Sequence, residues 1–294
     1  MKFIEKWFGA VNEKNSVLCA GLDPAEFEMR RGEKGLPKGV DKKEWSLKYV
    51  ETVAPYCAGI KPNIQYWKKK DDMNSLKEIT KLAHSLGMIV IEDSKLADIG
   101  STNDAGLFHV QEKKIDAVTY SPFAGNMVEA ADQAKKWGVG IISMCLMSNP
   151  EYEKEKNKLI DVSEYMNDNT YSHIDITTIN DVPYVKQYIY LAKNANIYGL
   201  DGIVVGAPSA KNHISEKEIE DVKRYSHSLT LVLLPGVGAQ GGEANIIWKY
   251  FNRNNVIVNV GRAMMFPNGS NSTSEEQAAI AKQYRDMLND LRTK

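Results

Sequence analysis

Three cysteines in 294 residues are too few, and too poorly spaced, for a disulfide scaffold or a structural zinc site. Cys19, Cys57 and Cys145 each sit in an apolar run, so they read as reduced core residues. No window approaches the roughly 18 apolar residues of a membrane span, and no long apolar segment follows the first charges at Lys2, Glu5 and Lys6. The expectation is a soluble, unexported, cytoplasmic protein. An excess of charge of one sign is also missing, with 37 Lys and Arg against 38 Asp and Glu. Neither nucleic acid nor an anionic membrane has an electrostatic reason to be a partner. No shift in composition marks a linker, so residues 1–294 read as a single domain.

What is present is an ordinary globular composition, 43% hydrophobic and 26% charged, enough for one full core. Eight short apolar runs predict strands at 17–22, 58–62, 88–93, 117–121, 139–146, 202–205, 230–234 and 256–260. They are continuous rather than alternating, as expected for parallel strands covered on both faces. Helical spacing fills the gaps, for example Leu76, Ile79, Leu82, Ala83 and Leu86, or Ile280, Tyr284, Met287, Leu288 and Leu291. Repeated strand–helix units predict an α/β fold, a (β/α)8 TIM barrel, with an open doubly wound sheet as the alternative. Two connections exceed the usual length of about 2–6 residues. These long loops, 24–43 after strand one and 149–183 after strand five, follow strand C-termini, where barrel active sites lie. Each reads either as a surface insertion or, for the second, as a lid over a substrate.

The third strand ends in Asp93, Ser94, Lys95, Leu96, Ala97 and Asp98. On a regular strand Asp93 and Lys95 point to the same side as Ile91, an interior face. Burying charges is costly unless they are paired, so an acid, a base and another acid at the end of a buried strand suggest chemistry. Other strands deliver polar groups to the same end: Asp23 from the first, Lys61 from the second, Ser148 from the fifth. The Gly-rich run 236–242 with Gln240 follows the seventh, and Gly261 and Arg262 follow the eighth. Backbone N–H groups of a Gly-rich turn and an arginine fork suit a phosphate, and barrels often bind phosphate between the loops after strands seven and eight. A structural ion-pair network, a plain turn and a surface arginine are the alternatives. Lys61 and Lys95 facing carboxylates keep one another charged, since unit charges 4 Å apart interact by roughly 4 kcal/mol at an effective dielectric of 20. An ammonium held in this way is a proton donor rather than an amine nucleophile, which argues against a Schiff-base aldolase.

Taken together, these residues resemble the orotidine 5'-phosphate decarboxylase family. Asp93-x-Lys95-x-x-Asp98-Ile99 followed by Thr102 is similar to its signature. Lys61, Asp23, Ser148, Gln240 and Arg262 fall where the family has its second-strand lysine, ribose-binding aspartate, pyrimidine-contacting serine, and phosphate-holding glutamine and arginine. The resemblance implies decarboxylation of orotidine 5'-phosphate to uridine 5'-phosphate in pyrimidine synthesis, with no metal and no organic cofactor. Lys95, Asp93, Lys61 and Asp98 would be catalytic, and Asp23, Ile99, Thr102, Ser148, Gln240, Gly261 and Arg262 substrate-binding. It also implies a homodimer in which Asp98, Ile99 and Thr102 reach the neighbouring subunit's site. Gly100 departs from the pattern, standing where many members have proline. Three rivals remain open: a magnesium-dependent sugar-phosphate decarboxylase or hexulose-phosphate synthase, which would carry glutamate where Lys61 stands; a Schiff-base aldolase; and a catalytically silent nucleotide-binding barrel.

Overall fold

The apolar runs form the strands β1 (Leu18–Leu22), β2 (Gly59–Pro62), β3 (Ile89–Leu96), β4 (Ala117–Tyr120) and β5 (Gly140–Leu146). Three short strands of the second long connection follow, β6 (Leu159–Asp161), β7 (Thr177–Ile179) and β8 (Val182–Lys186). Then come β9 (Gly202–Val205), β10 (Leu231–Leu234) and β11 (Val256–Val260). The structure is a computed structural model that describes residues 2–29, 34–168, 170–171, 173–210, 212–237 and 244–293. Eight strands close into a parallel barrel in the order β1-β2-β3-β4-β5-β9-β10-β11, with β11 pairing back onto β1. An open doubly wound sheet is therefore excluded, because no edge strand is left. Every residue of β1, β2, β4, β5, β9 and β10 is buried, which is why these segments read as largely apolar runs in which Lys61 stands out. The three cysteines are free and buried.

Helices cover the barrel wall: α1 (Phe3–Lys14), α2 (Lys42–Val53), α3 (Asp72–Ser85), α4 (Gly100–Glu112), α5 (Met127–Trp137), α6 (Tyr152–Lys156), α7 (Gln187–Ile197), α8 (Glu216–Tyr225), α9 (Asn245–Trp248), α10 (Arg262–Met265) and α11 (Ser274–Thr293). α1 closes the N-terminal end of the barrel. Its Trp7 is fully buried and donates from Nε1 to the Asn254 carbonyl at 2.7 Å, while Phe3 packs so closely on Gly140 that a Cβ there would lie 2.5 Å from the ring. Among the described residues, no helix is long and apolar enough to cross a membrane.

The two long connections are built structures. After β1, Lys42 ties the insertion to the barrel rim, pairing with Glu26 at 3.2 Å and Asp72 at 2.8 Å and donating to the Tyr66 carbonyl at 2.8 Å. After β5, the chain forms α6 and an antiparallel sheet in the order β6-β8-β7. This appendage docks on the outer helices: Asp175 accepts from Tyr225 Oη at 2.5 Å and Arg224 Nη1 at 3.0 Å, and Tyr165 meets Tyr190 of α7 edge-on. Its bulk sits against the helical wall, so the surface-insertion reading describes it better than a lid.

Candidate active site

β3 does not run as a regular strand to its end. Its register against β4 shifts between Glu92 and Leu96, where four steps along β3 match two along β4, from Val118 to Tyr120. Such a bulge re-aims side chains, and Lys95 takes the left-handed backbone conformation, φ 49°. Alternation alone would put Asp93 and Lys95 on one side of a regular strand; here the two side chains meet across an irregular stretch, with Lys95 in the left-handed conformation. Lys95 Nζ donates to Asp93 Oδ1 at 2.5 Å, and Lys61 Nζ, from β2, donates to Asp93 Oδ2 at 2.5 Å. Thr119 of β4 completes the array. Its Oγ1 donates to Asp93 Oδ1 at 3.1 Å and accepts the Lys95 backbone N–H at 3.0 Å.

The two lysines differ in access. The Lys61 side chain is 7% exposed and that of Lys95 51%. Lys61 is thus a fixed internal cation, whereas Lys95 is accessible from the cavity it lines. Burial alone pushes the Asp93 carboxyl up, but Lys61 and Lys95 outweigh it and hold the group down at about 2. Burial pushes Lys61 down, yet Asp93 and Asp23 more than offset this and keep it above the ordinary lysine value. Asp23 is raised by its burial, although Lys61 opposes the shift. Its Oδ1 is buried with no partner among the described residues, a vacant acceptor suited to a hydroxyl.

These groups face a cavity of about 470 Å³ at the C-terminal ends of the strands, lined by Lys61, Asp93, Lys95, Thr119, Ser148, Asn149 and Asn212 on its polar side. Met144, Met147, Pro150, Val204, Leu233 and Pro235 supply an apolar wall. That combination suits a flat ring with a few polar edges. Asp23, Gly261 and Arg262 lie at the same barrel end beside it. A Cβ on Gly21 would come 2.7 Å from Gly261 Cα, so β1 and α10 meet there with no room for a side chain. Arg262 opens α10 with its side chain exposed, and its charge bears on Asp23. Gln240 and the rest of 238–243 lie outside the described residues.

Asp98, Ile99 and Thr102 do not join the cluster of their own chain. All three are exposed, Ile99 to 59%, and Asp98 Oδ1 accepts the Ile99 N–H at 2.8 Å. Gly100 has φ 51°, a conformation closed to proline, so the glycine at this position matches the turn it makes into α4. Thr119 and Asn212 are site residues that the sequence reading missed. Thr119 had a signal, the polar end of the fourth strand, but no charge to draw notice; Asn212 lies in a loop of ordinary composition.

Residues 16–268 match the model of the Orotidine 5'-phosphate decarboxylase / HUMPS family. The chain belongs to that family. Among curated family members, an orotidine 5'-phosphate decarboxylase of Polaromonas naphthalenivorans is 30% identical over 304 residues, covering 99% of this chain and 97% of its own length. One from Dehalococcoides mccartyi is 27% identical over 309 residues and covers 99% of both chains. The fold is shared with a solved structure of a putative orotidine-monophosphate-decarboxylase from Toxoplasma gondii, at TM-score 0.76 and 19% identity, covering 99% of this chain and 96% of that one.

Proposed function

We propose that this family member is an orotidine 5'-phosphate decarboxylase that produces uridine 5'-phosphate and carbon dioxide. The observation that carries the reading is the Lys61–Asp93–Lys95 array. Here a carboxylate is held charged by one buried and one accessible ammonium, at the edge of a cavity sized for a pyrimidine ring. The curated relatives that match the chain along its whole length bear the same name. The metal-dependent branch would carry a glutamate where Lys61 stands, and a buried cation beside Asp93 opposes a divalent metal there.

Lys95 is the acid. The bond from C6 to the substrate carboxylate breaks, carbon dioxide leaves, and the electron pair stays on C6. The Lys95 ammonium stabilises that pair and then gives it a proton, leaving an amine that solvent recharges. Asp93 faces the departing carboxylate, and Lys61 fixes the orientation of Asp93. Asp23 and Lys61 receive ribose hydroxyls, Ser148 contacts the pyrimidine, and Gln240, Gly261 and Arg262 hold the phosphate. Phosphate contacts remote from C6 favour a closed site, so their binding energy appears as rate.

The active form is a homodimer of one-domain barrels, in which Asp98, Ile99 and Thr102 of one copy complete the other's site. Their exposure supports this, as does the apolar surface beside them, with Phe123 91% and Val128 51% exposed. Asn126 ties the two segments together, donating from Nδ2 to the Asp98 carbonyl at 3.1 Å. A cytoplasmic location is part of this proposal. The direct test is the ultraviolet absorbance change of orotidine 5'-phosphate with excess EDTA. Turnover that persists supports the reading, and turnover abolished by chelation refutes it in favour of the metal-dependent branch.

A further inference from the structure

The segments at this end of the cavity, 148–150 after β5 and 206–210 and 212–214 after β9, are joined by a buried set of contacts that the chemistry above does not use. Lys156 of α6 is only 4% exposed. Its ammonium donates to the His213 carbonyl at 2.5 Å and pairs with Glu218 at 2.6 Å. Glu218 is itself tied down, its other carboxylate oxygen accepting the Ser215 N–H at 2.9 Å in the capping box of α8. From the held backbone, His213 reaches across and donates from Nε2 to the Asn149 carbonyl at 3.0 Å. A carbonyl can only accept, so that contact fixes the proton on Nε2. Next to it, Asn212 Nδ2 donates to the Ala207 carbonyl at 2.8 Å, and the asparagine lines the same cavity as Ser148 and Asn149.

We propose that His213, anchored by the Lys156–Glu218 pair, is a positioning residue that sets the wall Ser148–Asn149 against Asn212 at the spacing a pyrimidine ring needs. The inference rests on the decarboxylase reading and adds to it the means by which the base-contacting wall is held. A buried ion pair is weak support for stability when an apolar pair of the same volume could replace it. Here the lysine also holds a loop carbonyl, which an apolar side chain cannot do, and the loop it holds forms one side of the site. His213 touches no substrate, so its removal should change the affinity for the base and leave the chemical step alone.

The test compares ligands with and without a base. In His213→Ala the KM for orotidine 5'-phosphate should rise about tenfold with kcat within about twofold, the pattern of lost uniform binding. Inhibition by uridine 5'-phosphate should weaken to the same degree, and inhibition by ribose 5-phosphate, which has no base, should not change. Lys156→Met should repeat the pattern and Lys156→Arg should recover part of it. If Lys156→Met does not fold, His213→Ala still decides, because it leaves the buried pair in place. An unchanged KM in His213→Ala, or an equal loss of affinity for both inhibitors, overturns the inference. A wild-type enzyme that does not turn over orotidine 5'-phosphate instead refutes the decarboxylase reading, so the two failures are distinct.

Discussion

Lys95 turns back on Asp93, Nζ to Oδ1 at 2.5 Å, from a backbone held at φ 49°. A left-handed non-glycine residue stores roughly 1–3 kcal/mol of strain and persists only where its surroundings fix it. Here those surroundings are the bulge in β3 and the hydroxyl of Thr119, which receives the Lys95 N–H at 3.0 Å. The ammonium so held lines the cavity.

On the proposed mechanism Lys95→Ala should lower kcat by at least about 10⁴-fold, since it would remove both the proton donor and the charge that stabilises the carbanion. Binding of uridine 5'-phosphate, followed by calorimetry, should survive. More than trace turnover would refute the acid role. The backbone strain has its own signature, because glycine is free to adopt this conformation. Lys95→Gly should be more stable than Lys95→Ala by about 1 kcal/mol in urea denaturation, and equal stabilities would show that the strain is not there.

The charge array gives the enzyme a defined response to pH. Asp93 is held at about 2, below the roughly 3.9 of an unfolded chain, so its contribution is present above pH ~4 and is lost as the pH falls through 2. Lys61 is raised, so its contribution is present below the ordinary lysine value and is lost as the pH rises through the higher folded one. Asp23 is raised by burial and acts in the opposite sense to Asp93, since its protonation favours the folded state. Asp93→Asn should be less stable than the wild type at pH 5, and that difference should shrink by about 2 kcal/mol toward pH 2. Denaturant titrations at a series of pH values measure it. A difference that stays constant with pH would show that Asp93 is not held by its two lysines.

Arg262→Ala should reduce kcat/KM about 10- to 100-fold, the range expected for one lost hydrogen bond to a charged group. Assaying orotidine, which lacks the phosphate, separates this from general damage. The variant and the wild type should be equally poor with it. A variant that is weaker on both substrates, or on neither, removes Arg262 from the phosphate site.

The barrel was legible because a parallel strand covered on both faces is apolar almost throughout, and runs such as Leu18–Leu22 and Gly202–Val205 have no other use for that pattern. The site was legible where charge was out of place, at Lys61, Asp93 and Lys95, since a buried charge needs a partner or a function. The bulge was not legible, because register depends on the neighbouring strand and leaves no mark in the composition of β3. Thr119 was missed for a related reason: a threonine suits any strand, and only the register places its hydroxyl on Asp93. The appendage after β5 reads as a loop in the sequence because β6 and β7 have three residues each, too few for alternation to show.

Asp98 lies outside the cluster of its own chain and is exposed beside Ile99, so the shared-site reading makes a prediction that a self-contained site cannot meet. Lys95→Ala and Asp98→Ala should each be nearly inactive as homodimers. Unfolded together and refolded as a mixture, they form hybrid dimers in which one site draws Lys95 and Asp98 from the two unmutated positions, while the other site carries both substitutions. Random pairing makes about half of the dimers hybrids with one intact site in two, so about one quarter of wild-type activity should return. Phe123 offers the control. Its side chain is 91% exposed on the neighbouring turn, and Phe123→Asp should drive the protein toward monomers in sedimentation velocity and remove the recovery. A mixture that regains nothing while still forming hybrid dimers would place Asp98 in the service of its own chain and end the shared-site assignment.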